Sequence, residues 1–270
     1  MSHALDAYLA RIGHRGATAP TAATLAVLHR QHLASIPYEN LDIHLGRRLT
    51  LDTGEAFEKL VVRRRGGWCY EHNLLFADIL RRLGYGVELL SGRVGADDHN
   101  HLTLRVSVPG DAVYLADVGF GDAPLEPLPL RPGRYRQGFF EVGLTCDGGR
   151  WTFHNHPFGG APSFDFTLTP RDVATFEARC DYLQTSPDSR FVRAAVCQRL
   201  FVDRVVSLRG AVLTVAGAAG SQQRELADET DYARVLAEVF DLHGLDTTRL
   251  WSLVTRQHVE WLAREGGAAR

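Results

Sequence analysis

The chain has 270 residues, 45% of them hydrophobic and 23% charged, with a formal net charge of -2. That balance describes a globular chain long enough for two or three cores, and its dispersed basic residues leave no stripe for a nucleic acid. The opening MSHALDAYLARIGHRG alternates apolar and charged positions without an apolar run of signal-peptide or membrane-span length, so a cytoplasmic protein with no membrane partner is expected.

In chain order, residues 5 to 84 read mainly as helices: ALDAYLARIG, the run from Thr21 to Ser35, TGEAFEKLVVRR, and a helix beginning near Cys69. The last follows the segment RRRGGWCYEHN. Leu74, Leu75, Phe76, Ile79, Leu80 and Leu83 recur at helical spacing and stop at Gly84, which puts Cys69 at a helix N-terminus. Unpaired N–H groups and the positive end of the helix dipole favour a thiolate there. Gly66 and Gly67 permit close approach of another backbone or a ligand, and Trp68 would shield the site.

From Val87 to Thr169 the pattern changes to short alternating strands: VELLSGRV, HLTLRVSV, AVYLADV, FFEVGLT, WTFHNH and SFDFTLT. An antiparallel sheet or small barrel is expected. Beyond Pro170 helical periodicity is read through about Leu200. Strands RVVSL, AVLTVAG and QQREL then lead into helices near 229–243 and 246–264, a smaller α/β unit. Cys69, Cys146, Cys180 and Cys197 lie far apart with no C-x-x-C pair, so free thiols are expected rather than disulfides or a metal site.

A thiolate nucleophile needs a base and a group to orient it. His101 opens one strand and Asp117 ends the next, before the turn VGFG. Paired as a hairpin through PGD at 109–111, the two would share a face. The inferred triad is Cys69, His101 and Asp117. His72, His99, His154 and His156 compete for the role of base, and Asp117 alone would serve as a turn-former.

The segments IPYENLD, RRRGGWCYEHN, HLTLRV, DVGFGD and TSPDSRF, in this order over residues 36 to 191, resemble the arylamine N-acetyltransferase family. The resemblance implies an α+β multidomain fold: a helical bundle over 1–86 carrying the nucleophile, an antiparallel β-barrel over 87–185 carrying the histidine and aspartate, and an interdomain helix with an α/β lid over 186–270. It makes Cys69 the acyl acceptor, His101 its base and Asp117 the orienting acid, as in the cysteine proteases. It also places Glu39 and Arg65 as supports of the catalytic loop, and Tyr38 and Phe191 in the acceptor pocket. Phe120 and Gly121, in the turn after Asp117, are offered as further substrate contacts. Two departures bear on substrate choice: the segment between Arg93 and His101 is shorter than in many members, and Tyr38 stands where Phe is usual.

The implied function is ping-pong transfer of an acetyl group from acetyl-CoA to arylamines, arylhydroxylamines or hydrazines, with no metal, in xenobiotic metabolism. The small-molecule donor and acceptor are the implied partners. Three other readings stay open: an amide synthase of the same family acting on a carrier-bound polyketide, a thiol hydrolase or transglutaminase-like protein using the same triad, and a non-enzymatic structural protein.

Overall fold

A computed structural model describes the backbone of residues 2–268 and the side chains of residues 3–257. The N-terminal part contains α1 (Ser2–Arg11), α2 (Ala22–Ser35), a two-residue strand β1 (Tyr38–Glu39), the single turn α3 (Leu41–His44), α4 (Thr53–Phe57) and α5 (Cys69–Arg82). Helix α2 starts where Thr21 accepts the Thr24 N–H, and α4 where Asp52 accepts the Glu55 N–H. After α4 the chain continues as a π-helical turn over Glu58–Val62. This turn buries Lys59, Leu60 and Val61 and leads directly into the arginine-rich loop.

Eight strands follow: β2 (Gly86–Val94), β3 (Asp97–Ser107), β4 (Val113–Ala116), β5 (Leu128–Pro129), β6 (Gly133–Gln137), β7 (Phe140–Asp147), β8 (Arg150–His154) and β9 (Ser163–Pro170). They form one antiparallel sheet in the order β5-β4-β3-β2-β9-β8-β7-β6. The short strands β5 and β6 were not anticipated from the sequence, and they are the two edges. Side chains close the seam between them. Gln137 Oε1 accepts the Leu125 and Glu126 N–H groups while its amide donates to the Glu126 carbonyl, and the Tyr135 hydroxyl donates to the Arg131 carbonyl. The result is a nearly closed barrel whose interior phenylalanines, Phe153, Phe164 and Phe166, are fully buried.

Past the barrel the chain runs through α6 (Glu177–Thr185) and α7 (Arg190–Arg193) into β10 (Val196–Leu200), β11 (Arg204–Arg209), β12 (Val212–Gly217) and β13 (Gly220–Glu225), and ends in α8 (Glu229–Glu238) and α9 (Thr247–Ala268). The helical reading up to Leu200 is therefore corrected. Residues 196–200 are a strand paired with β11 on one side and with β1 on the other. Five residues give too little periodicity to separate a strand from a helical turn, and the pairing partners decide.

Strand β1 joins the five-stranded sheet β1-β10-β11-β12-β13 although it lies between N-terminal helices in the chain. Leu41 and Leu45, beside it, enter the second hydrophobic core with Cys197, Leu208, Tyr232, Leu236 and Leu250. Tyr38 Cα pairs with Gln198 and Glu39 with Cys197. This short strand brings the nucleophile's loop, the barrel and the C-terminal sheet to one place.

Candidate active site

Cys69 is the first residue of α5 and is buried, with 2% of its surface exposed. The preceding glycines accommodate backbone rather than ligand. A side chain at Gly66 would stand 2.2 Å from the Pro37 carbonyl, and Gly67 exchanges hydrogen bonds with Pro37 and Glu39 beneath β1. Trp68 is fully buried, edge-on to both Tyr70 and Phe191.

The loop between these residues rests on a buried charge network. Arg65 Nη2 donates to Glu39 Oε1 at 2.7 Å and to Asp42 Oδ1 at 3.1 Å. Lys59 Nζ reaches Asp42 Oδ2 at 3.1 Å and both oxygens of Glu71 at 3.0 Å, and Glu71 Oε2 accepts the Trp68 N–H at 3.2 Å. The Glu39–Arg65 pair expected from the sequence is thus one edge of a five-residue cluster. Lys59, Asp42 and Glu71 escaped sequence reasoning because charged side chains read as surface residues unless their partners are known. Removing one partner from such a buried cluster strands a charge, a change that costs about 3–5 kcal/mol.

His101 and Asp117 approach across β3 and the end of β4. The strands pair Leu104 with Ala116 and Val106 with Tyr114, so His101 and Asp117 are diagonal rather than directly opposite. His101 Nε2 lies 2.5 Å from Asp117 Oδ2, both side chains buried. Nε2 therefore carries the proton given to the carboxylate, and Nδ1 is the nitrogen free to act as base. Phe120 and Phe164 flank the imidazole at ring-centroid distances of 5.2 and 4.8 Å.

The other carboxylate oxygen has a separate task. Asp117 Oδ1 accepts from Gly119 N and from Asn73 Nδ2, both at 2.9 Å. Asp117 is thus a turn-former through one oxygen and a histidine holder through the other. Asn73 also donates to the Leu102 carbonyl at 2.6 Å and accepts the Val118 N–H at 3.0 Å. It lies four residues after Cys69, one helical turn along the same face of α5, so a single face carries the thiol and the clamp on Asp117. The sequence carried that spacing, and only the partners were invisible.

His29 holds the backbone of the same aspartate. Its Nε2 accepts the Asp117 N–H at 3.1 Å, so its proton sits on Nδ1 and goes to the Leu125 carbonyl. A second imidazole chain is equally determined: His72 Nε2 donates to the Pro37 carbonyl, His32 Nε2 to His72 Nδ1, and the Tyr8 hydroxyl to His32 Nδ1. Each ring is neutral in this arrangement. Burial lowers His29 and His72 to about 4 and His32 well below its ordinary value. In the unfolded chain these groups titrate near 6.5, so between about pH 6.5 and 4 the unfolded state binds more protons. Stability should then fall as the pH drops through that window, by up to about 1.4 kcal/mol per pH unit for each ring. Denaturant midpoints at pH 7 and pH 5 test this, and equal midpoints would refute it.

Of the competing histidines, His72 is committed as described. His99 bonds to Ser91, His154 to Thr145 and His156 to the Asp122 carbonyl. His101 alone of these lines the cavity that holds Cys69, a space of about 110 Å³. Tyr38, Phe120 and Phe191 also line it, together with Asn100, Asp122, Arg190, Gln198 and Arg209, which the sequence did not suggest. Gly121 does not line it. Its φ of +95° shapes the turn, and a side chain there would meet Gln198 Oε1 at 2.2 Å, so Gly121 leaves room for a residue of the wall.

Burial pushes the Cys69 thiol up, and the Asp117 charge adds to this, while Arg190 and a backbone hydrogen bond with Leu102 draw it down. Burial thus works against the depressed thiol expected from the sequence. A proton acceptor beside the sulfur would offset that cost. Among the described residues no group of three or more His, Cys, Asp or Glu is arranged to hold a metal ion, and no helix is long and apolar enough to cross a membrane.

Residues 21–248 match the model of the N-acetyltransferase family. The chain is 39% identical to an arylamine N-acetyltransferase of Mycolicibacterium smegmatis, over 91% of this chain and 93% of that one. Among solved structures, the arylamine N-acetyltransferase of Nocardia farcinica superposes with a TM-score of 0.83 at 38% identity, covering 93% of each chain. The Mycobacterium marinum enzyme in complex with CoA superposes with a TM-score of 0.86 at 30% identity, covering 93% of this chain and 98% of that one.

Proposed function

The chain belongs to the arylamine N-acetyltransferase family, and from that premise we propose that it moves the acetyl group of acetyl-CoA to aromatic amines, arylhydroxylamines or hydrazines by a ping-pong mechanism through a Cys69 thioester. The observation that carries this reading is the shared cavity of Cys69 and His101, with His101 Nε2 held 2.5 Å from Asp117.

In the first half-reaction His101 Nδ1 takes the Cys69 proton as the sulfur attacks the thioester carbonyl. Moving the proton within the site answers the cost of a buried thiolate, since the imidazolium stays beside it and Asp117 stabilises the cation. The N–H groups of Cys69, Tyr70 and Glu71 at the start of α5, which no helical carbonyl can take, would serve the oxyanion. Collapse expels CoA as a thiolate, which takes the proton from His101. In the second half-reaction the amine nitrogen attacks the acetyl carbonyl, His101 removes its proton, and that proton returns to the Cys69 sulfur as the amide leaves. Aromatic amines suit the scheme because they are unprotonated near neutral pH. Tyr38, Phe120 and Phe191 offer their rings to the acceptor. The four unpaired cysteines suit a reducing cytoplasm.

Brief exposure to acetyl-CoA without amine should release one equivalent of CoA and leave one acetyl group on Cys69. Cys146 is the demanding control, being the exposed thiol, whereas Cys180 and Cys197 are buried and shifted up. Peptide mass spectrometry decides the matter. An acetyl group on Cys146 with none on Cys69 would sink the mechanism, and steady acetate release without amine would favour a hydrolase.

A further inference from the structure

Strand β4 ends at Ala116, and the chain returns to the sheet at β5, Leu128–Pro129. Between them runs a loop that carries Asp117 together with Gly119, Phe120 and Asp122 of the cavity wall. The two strands pair Tyr114 with Pro129 and Leu115 with Leu128, and the register stops there. Buried backbone groups at the neck of the loop must then find partners elsewhere. One side chain serves both arms. His29, on α2 and fully buried, accepts the Asp117 N–H at Nε2 and donates from Nδ1 to the Leu125 carbonyl, both at 3.1 Å. The imidazole stands where the ladder has ended, an acceptor towards one arm and a donor towards the other.

The neck is fixed around this ring. Phe76 of α5 meets it edge-on at 5.8 Å, and Arg30, the next residue on α2, forms an ion pair with Glu126, the next residue after Leu125. Gln137 Oε1 takes the N–H groups of Leu125 and Glu126 from the other side. Asp117 is therefore held twice. Helix α5 fixes its carboxylate through Asn73, and α2 fixes its backbone through His29. The reaction scheme uses neither nitrogen of His29. Yet the carboxylate hangs from the same Cα as the N–H that His29 holds, so a peptide plane that turns to find another acceptor carries the carboxylate with it.

We propose that His29 is a positioning residue for acyl transfer: it sets the backbone of Asp117, and so the line from Asp117 through His101 to Cys69. The proposal rests on the acetyl-transfer reading and adds to it a residue that lies outside the cavity. Misplacing a reacting group by about 1 Å from a distant position costs about 10²-fold in rate, which sets the size of the expected effect.

Two amides separate the two hydrogen bonds. His29→Asn places its NH₂ group near the position of Nδ1 and keeps the bond to Leu125 alone, whereas His29→Gln brings its oxygen to the position of Nε2 and keeps the bond to Asp117 alone. Each leaves one backbone group unpaired, so thermal melting should fall alike in both. Reactivity should not. The readouts are iodoacetamide alkylation of Cys69 at pH 7 and CoA release from acetyl-CoA, each scaled to the folded fraction from circular dichroism. Both should fall about 10²-fold in His29→Asn and less than about tenfold in His29→Gln. In the Asp117→Asn background, His29→Asn should add less than about threefold, because its effect passes through the carboxylate. His29→Leu, which fills the same apolar space, replaces His29→Asn if that variant does not fold. Three results would each overturn the proposal: equal losses in the two amides, a loss in the Asp117→Asn background as large as in the wild type, or His29→Asn rates within about threefold of wild type. Alkylation needs no substrate. A wild type that moves no acetyl group would defeat the transferase reading, and the alkylation rates would still decide the role of His29.

Discussion

Cys69→Ser should leave a folded protein that releases no measurable CoA from acetyl-CoA and acetylates no amine, a loss of about 10⁶-fold by comparison with a hydrolase triad that has lost its nucleophile. The substitution changes one atom at a site that is 2% exposed, so packing with Trp68, Tyr70 and Gly119 is disturbed little. Reactivity changes far more. A serine hydroxyl holds its proton much more tightly than a thiol, and burial raises that barrier again. Rapid-quench measurement of CoA release, alongside circular dichroism, checks the result. A serine variant within about tenfold of the wild type would mean that transfer does not depend on a thiolate at residue 69.

Asp117→Asn should lower acylation by roughly 10⁴-fold, the loss known for the same change in a serine triad. Here the hydrogen bonds say why. Oδ1 receives two donors, Gly119 N–H and Asn73 Nδ2, so an amide nitrogen cannot occupy that position without meeting both. The asparagine must therefore turn its oxygen to them and its NH₂ group to His101. That NH₂ donates, so His101 Nε2 must accept, and the imidazole proton moves to Nδ1, the nitrogen that the Cys69 proton needs. Thermal melting should move little, because the turn and the Asn73 bridge survive. The chemical shifts of the His101 ring nitrogens would report the exchanged tautomer directly. A folded variant with near wild-type acylation would return Asp117 to the role of turn-former.

Several features of the fold were legible in the chain because they are local. Helix α5 and its start at Cys69 follow from apolar spacing and a glycine stop, and β2, β3, β7, β8, β9 and β11 to β13 follow from alternation between turn residues. The nearness of Cys69, His101 and Asp117 was legible for a related reason. Cys69 begins a helix, and His101 and Asp117 lie on neighbouring strands joined by a short turn, so few geometries were available.

What the chain did not disclose depends on contacts far apart in sequence. The strand Val196–Leu200 exists because Tyr38 and Glu39 supply one edge and β11 the other. Glu39 and Arg65 were expected as a pair, whereas Asp42, Lys59 and Glu71 read as ordinary surface charges until the fold removes the water of all five together. His29 gained its partner at Asp117 across 88 positions, and Arg190 became a cavity wall residue only when α7 closed beside Cys69. The sequence alone determined which short segments would carry Cys69, His101 and Asp117, since propensity and period act over a few residues. Which charges are buried together and which imidazole holds which proton were decided by tertiary structure, because desolvation and hydrogen-bond geometry exist only once distant segments meet.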